Sequence, residues 1–301
     1  MKSIYLACGC FWGAQHFFSM VSGVRSAVCG YANGNSDTAP SYKEVYTDTT
    51  GFAETVRVDY DEKRISLPEI LDLFSSIIDP LSLNRQGEDC GTRYRTGIYY
   101  KDKEDGGAAG DFLDSLGRKI GAEPAVELLP LKNFFPAEEY HQDYLVKNPD
   151  GYCHIPLKVF AYLRLWQDLG LMLGDERDTV ARMANICALT AERMHFFWTG
   201  FYRVSGEELV LGPFQGPSAC FRIRFGRGVC GTAWKERRTV VVPDVEAFPG
   251  HIACSSLSRS EIVVPVYSGN EITAVLDIDS TETATFDSVD ALWLEKIAAL
   301  V

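Results

Sequence analysis

Gly9-Cys10-Phe11-Trp12-Gly13 places a cysteine where a short apolar strand, Ser3 to Ala7, gives way to a helix expected from about Phe11 to Met20. The unpaired N–H groups and positive dipole end of a helix N-terminus lower a thiol pKa. Cys10 is therefore expected to be a thiolate at neutral pH. Two large aromatic neighbours suggest a pocket for something small and apolar. A lone cysteine is more often a buried structural residue, but the flanking glycines and aromatics favour a reactive one.

The same mixture of strands and helices continues outward from this turn. Strands are expected at Ile4–Ala7, Glu54–Tyr60 and Thr96–Tyr100, and helices at Leu67–Ile78 and Asp105–Ile120. From near Leu163 the pattern turns helical, with Val180, Met183, Ala184, Cys187 and Ala191 at helical spacing. Strands follow at Thr199–Val204, Ala219–Phe225, Thr239–Val242, Ile262–Tyr267 and Thr273–Asp279, with a closing helix at Ser288–Leu300. Two α+β domains are expected, 1–161 and 162–301. The 301 residues suffice for two cores of ordinary size.

With 46% apolar and 23% charged residues the chain should be globular. Its 29 Lys and Arg against 41 Asp and Glu give a net charge of −12, which argues against nucleic acid and anionic membranes as partners. No apolar run approaches a membrane span. The opening residues are too short for a signal peptide, so a cytoplasmic location is expected. Nine cysteines there point to reactive or metal-binding thiols rather than structural disulfides. No CxxC occurs, and Cys8-x-Cys10 and Cys153-His154 lack zinc-ligand spacing, so no metal is expected.

Three further segments carry chemistry. In Thr50–Tyr60 a period of two puts Glu54 on one face with Val56, Val58 and Tyr60. A carboxyl on an apolar face has a raised pKa and can donate a proton, although a glutamate at a strand end more often points to solvent. Arg85–Arg95 is a polar, glycine-containing loop of the kind that carries function. Tyr140–Tyr144 leads to Asn148–Cys153, where a second thiol in a mobile segment could swing to a first.

With Pro40-Ser41-Tyr42, these motifs resemble type A methionine sulfoxide reductases, in order and spacing, over about residues 3–155. The resemblance implies a two-layer α/β fold and reduction of the S epimer of methionine sulfoxide, free or in proteins. It implies Cys10 as nucleophile, Phe11 and Trp12 holding the methyl group, and Glu54 protonating the sulfoxide oxygen. Tyr42 and Tyr94 would hydrogen-bond that oxygen, Asp89 would hold the substrate backbone, and Cys153 would resolve the sulfenic acid to a disulfide. Phe52 and Ile78 stand where the family usually has histidine, which bears on the polarity of the pocket. Cys8, Cys29 and Cys90 have no assigned role.

In the second half, Phe225–Ala233 literally contains GxGxxG at Gly226, Gly228 and Gly231. No βαβ pattern surrounds it, so it reads as a glycine turn opening a short helix that could acidify Cys230. Period two places Asp277 and Asp279 on one strand face, roughly 7 Å apart, and Glu261 opens another strand. Converging carboxylates suit a metal or an amine, although a solvated sheet face is the commoner outcome. Leu211–Gly216, Phe225–Ala233, Val242–Val245, Phe248–Cys254, Ser258–Pro265 and Leu276–Ser280 resemble free methionine-(R)-sulfoxide reductases, an enzymatic branch of the GAF fold with a central antiparallel sheet flanked by helices.

That resemblance implies Cys254 as nucleophile and Cys220 as resolver, with Cys230 an alternative partner. Glu261, Asp277 and Asp279 would bind the substrate ammonium and help protonate its oxygen, and Trp198 and Tyr202 would close over its methyl side. Cys187 falls on an apolar helix face. The expectation is a bifunctional reductase with no bound cofactor, regenerated by an external dithiol, thioredoxin. The alternatives are an S-specific reductase with a ligand-sensing GAF domain, and a redox-sensing interaction protein.

Overall fold

The computed structural model describes residues 1–252 and 255–301. The chain divides into two compact units, Met1–Leu157 and Lys158–Val301.

The first unit contains β1 (Lys2–Cys8), α1 (Phe11–Ser19), β2 (Val24–Ala32), α2 (Tyr42–Val45), β3 (Ala53–Tyr60), α3 (Leu67–Ser75), β4 (Arg85–Gln86), β5 (Asp89–Cys90), β6 (Thr96–Tyr100), α4 (Lys103–Ile120), β7 (Val126–Pro130), β8 (Phe134–Pro136) and α5 (Tyr144–Lys147). Six strands form a mixed sheet ordered β7-β6-β1-β3-β2-β8. β6 and β7 run parallel, and the other pairs are antiparallel. β1 lies centrally, with Ile4, Tyr5, Leu6 and Ala7 all buried. It therefore reads as a continuous apolar run instead of alternating. α1 buries Phe11, Ala14 and Phe18 at helical spacing and packs on β1, β2 and β3. α3 opens with a Ser66/Glu69 capping box and Pro68 in its first turn, and it ends at Ser75, short of the expected Ile78.

The second unit contains α6 (Leu157–Leu173), α7 (Thr179–Met194), β9 (Trp198–Ser205), β10 (Glu208–Gln215), β11 (Arg222–Arg224), α8 (Gly228–Glu236), β12 (Val240–Val242), β13 (Ser260–Ser268), β14 (Glu271–Ser280) and α9 (Ser288–Ala298). Its six-stranded sheet, β11-β10-β9-β14-β13-β12, is antiparallel throughout. α6 crosses the expected 161/162 boundary, and the units part at its first turn. Asp290 of α9 accepts from Lys158 Nζ at 2.7 Å and from Tyr162 Oη at 2.9 Å, so α6 and α9 are joined by a buried carboxylate with both a charge and a hydroxyl to satisfy it. The strand expected over Ala219–Phe225 shrinks to Arg222–Arg224 because Gly216 to Cys220 form a loop. Among the described residues no helix is long and apolar enough to cross a membrane.

Candidate active sites

β1 ends at Cys8, and Gly9 turns the chain with φ +80°; a Cβ there would meet Gln86 Cβ at 2.5 Å. Cys10 is thereby the N-cap of α1, in extended conformation with no side-chain cap. The orphan N–H of Phe11 is taken by Glu54 Oε2 of β3 at 3.1 Å. Glu54 is buried, which raises its carboxyl to about 8; the Phe11 N–H opposes the rise and Asp89 adds to it. Burial, then the neighbouring Glu54, push the Cys10 thiol well above its ordinary value, and the Trp12 N–H offsets only part of this. The expected resting thiolate is therefore overturned, because desolvation and a like charge outweigh the helix terminus.

Phe11 and Trp12 are held by residues far along the chain. Trp12 Nε1 donates to His141 Nδ1 at 3.1 Å and its ring stacks on Tyr144 with centroids 3.7 Å apart. His141 also packs against Phe11 and Tyr42, at 5.1 and 4.5 Å between centroids. Glu138 binds the framework together by accepting from Tyr31 Oη at 2.7 Å and from the Tyr42 N–H at 2.8 Å. Burial and the charges of Glu54 and Cys10 raise Tyr42 to about 12. Burial and Glu54 likewise raise Tyr94. Both phenols thus stay protonated as hydrogen-bond donors beside the acid. Asp89 of β5 is hydrogen-bonded to Tyr152, and burial pushes its carboxyl up.

Cys153 is half-buried, in a stretch without regular structure. A Cβ on Gly13, three residues after Cys10, would lie 2.7 Å from Cys153 Sγ, so this thiol rests against the first turn of α1. Cys29 is buried and its thiol donates to Gln15 Oε1 at 3.3 Å. Phe52 packs edge-on against Phe135 at 5.9 Å, and a Cβ on Gly34 would collide with its ring at 2.3 Å. It fills a glycine-lined slot between aromatic side chains. Ile78 is half-buried in the turn after α3.

In the second unit, Trp198, Tyr202, Cys230, Glu261, Asp277 and Asp279 line one cavity, with His251 and Ser258 also on its wall. Neighbouring strands supply the acids: Glu261 of β13 pairs with Asp279 of β14, and Asp277 lies opposite Val263. Burial, followed by the charges of Asp277 and Asp279, holds Glu261 well above the carboxylate range. Burial and Asp279 do the same to Asp277, and burial lifts Asp279 to about 6 despite a hydrogen bond from Ser258. Cys230 sits in the first turn of α8, with Sγ 4.0 Å from Glu261 Oε1. Burial and the charges of Asp277 and Glu261 raise this thiol too, so the expected acidification by the helix does not hold.

Trp198 stacks on Tyr202 and Phe214 at 6.1 and 5.5 Å. Tyr202 Oη donates to the Cys220 carbonyl at 3.1 Å, tying the cavity wall to the half-buried loop that carries Cys220. Cys187 is buried in α7 and donates to the Pro213 carbonyl. Cys254, the expected nucleophile, lies outside the described residues. The sequence reading missed Tyr31, Glu138 and His141 in the first site and His251 in the second. The available signal for His141 was a single imidazole within the Tyr140–Tyr144 run.

Residues 2–165 match the family model described as peptide methionine sulfoxide reductase. The chain belongs to the peptide methionine sulfoxide reductase family. Residues 175–301 of the reductase match the GAF domain model. A peptide methionine sulfoxide reductase MsrA of Clostridium acetobutylicum is 51% identical over 156 residues, covering 52% of this chain and 96% of that one. The first unit is also similar to the crystal structure of reduced Mxr1 from Saccharomyces cerevisiae, with TM-score 0.50 and 41% identity over 52% of this chain and 91% of that one. A free methionine-R-sulfoxide reductase from Neisseria meningitidis, solved with its substrate, is 53% identical over 46% of this chain and 84% of its own, with TM-score 0.46.

Proposed function

We propose that the reductase removes oxygen from both epimers of methionine sulfoxide: the S epimer, free or peptide-bound, in the first domain, and the free R epimer in the second. The observation that carries the reading is that each domain holds a thiol beside buried carboxyls whose pKa values burial raises. A sulfoxide sulfur accepts a nucleophile only as its oxygen is protonated, so thiol and acid must act together.

In the first domain Cys10 sulfur attacks while Glu54 protonates the oxygen. The protonated oxygen then passes to the Cys10 sulfur as its bond to the substrate sulfur and the new sulfur–sulfur bond both break, so that methionine leaves and Cys10 becomes a sulfenic acid. The Cys153 thiol then displaces water to form the disulfide, which an external dithiol such as thioredoxin reduces. At neutral pH both Glu54 and Cys10 hold their protons, one more than attack by a thiolate allows. The first proton to leave is that of Glu54, and its carboxylate can then take the thiol proton and deliver it to the substrate oxygen. With a peptide carrying the S epimer, kcat/KM should rise steeply from about pH 6 to about pH 8 and then level. A flat profile over that range would contradict the shared-proton scheme.

In the second domain three carboxyls around one small cavity suit an ammonium, which free methionine sulfoxide carries and a peptide-bound residue lacks. That charge relieves their mutual repulsion, so substrates without it are disfavoured. Cys254 attacks the sulfur, and Cys220 or Cys230 resolves it. Racemic free methionine sulfoxide incubated with the protein and a dithiol, with the epimers separated chromatographically, tests the reading. Both epimers should disappear, and Cys254→Ser should spare the R epimer only. An R epimer untouched by the native protein would sink the proposal and leave a ligand-sensing GAF domain, a reading favoured by the deep burial of Cys230.

A further inference from the structure

Three residues of the second cavity also form a compact set of metal-ligand atoms. Cys230 Sγ, one carboxyl oxygen of Glu261 and one of Asp277 all lie within 4.8 Å of one another. The three residues are only 3%, 6% and 7% exposed. Asp277 Oδ1 is buried with no hydrogen-bond partner among the described residues, on a side chain that lines the cavity. His251, also on the wall, brings Nε2 to 3.9 Å from Glu261 Oε2. The donors come from α8, β13 and β14, three regular elements whose packing already sets the spacing. No ligand motif along the chain could show them, because the site is assembled by the fold.

One sulfur and two carboxyl oxygens form a mixed set suited to a borderline ion such as Zn²⁺. Mg²⁺ and Ca²⁺ prefer oxygen alone. We propose that Cys230, Glu261 and Asp277 form a Zn²⁺ site, and that the ion shuts the second active site by occupying the carboxyls that would receive the substrate ammonium. The competition rests on the function proposed above; the metal site does not. Zn²⁺ bound there also masks the Cys230 thiol from oxidants.

The test uses Co²⁺ as a spectroscopic stand-in, titrated into the reduced full-length protein carrying Cys10→Ser and Cys153→Ser to silence the first-domain thiols. One equivalent should produce a thiolate-to-cobalt charge-transfer band that Zn²⁺ abolishes. Cys230→Ser should remove the band. Glu261→Gln, which keeps the thiol, should weaken Co²⁺ affinity by about 10- to 100-fold, by analogy with the loss of supporting metal-site interactions. Thermal melts establish that each variant is folded. No band, or a band unchanged in Cys230→Ser, overturns the metal site. With the native protein, Zn²⁺ should stop consumption of the free R epimer, leave reduction of an S-epimer peptide running, and be reversed by a chelator. A cobalt band together with an R epimer consumed at full rate under Zn²⁺ overturns the blockade. A cobalt band in a protein that never consumes the R epimer refutes the R-reductase function and the competition while leaving the metal site standing.

Discussion

Glu54→Gln should lower kcat/KM for the S epimer by about 10²- to 10⁴-fold, the range general acid catalysis supplies. The amide is nearly isosteric and can still accept the Phe11 N–H that Glu54 Oε2 accepts, so the N-terminus of α1 stays in place. What disappears is the proton. The rise of rate toward pH 8 should disappear with it, a loss that simple mispositioning of α1 would not cause. Stability should move the other way. Burial raises the folded-state pKa of Glu54 to about 8, so the native protein loses stability as pH climbs from the unfolded carboxyl value through that point. The neutral variant escapes this loss and should melt higher than the native protein at alkaline pH. A rate reduced less than tenfold would place the acid elsewhere, with Tyr42 and Tyr94 the next groups to substitute.

Gly13→Ala should separate the first half of the catalytic cycle from the second. In a helix the substitution by itself favours stability by about 1 kcal/mol. Here the new methyl would lie 2.7 Å from Cys153 Sγ and 3.1 Å from Ile155 Cδ1, so the Cys153 thiol, proposed above as the resolver, must move. Displacement of a reacting group by about 1 Å can cost about 10²-fold. The variant should release its first methionine at the native rate when no reductant is present, yet form the Cys10–Cys153 disulfide 10- to 100-fold more slowly. Sulfenic acid trapping in quenched samples, set against disulfide yield, reads the difference directly. Native-rate disulfide formation would show that Cys153 reaches Cys10 by a path that avoids the first turn of α1.

The elements around Cys10 were legible because each carries its own local signal: an apolar run, a glycine turn, then an amphipathic helix. β2 was not, since Val24–Ala32 is built largely from Ser, Ala, Cys and Gly, and its register shifts between Val24 and Ser26. β10 was hidden by Gly212-Pro213, where its pairing with β9 also shifts. The position of Cys10 at a helix start followed from spacing, whereas its protonation did not. That depends on Glu54, which lies forty-three residues from the Phe11 N–H it accepts, and on burial, which belongs to the packed domain. The same holds for His141, 129 residues from the indole it holds. In the second domain the period-two reading of Asp277 and Asp279 needed only the strand, but convergence with Glu261 and Cys230 required the sheet and α8 together.

The clamp on Trp12 has a consequence for binding entropy. An unrestrained indole would surrender rotamer freedom when a substrate methyl came to rest on it, a loss of about 0.5–1.5 kcal/mol for each side chain immobilised on association. Here the ring is already stacked on Tyr144 and tethered through its nitrogen to His141. That ordering was completed when the domain folded, so under the proposed assignment of Trp12 to the substrate methyl the arriving group would meet a surface with little motion left to lose.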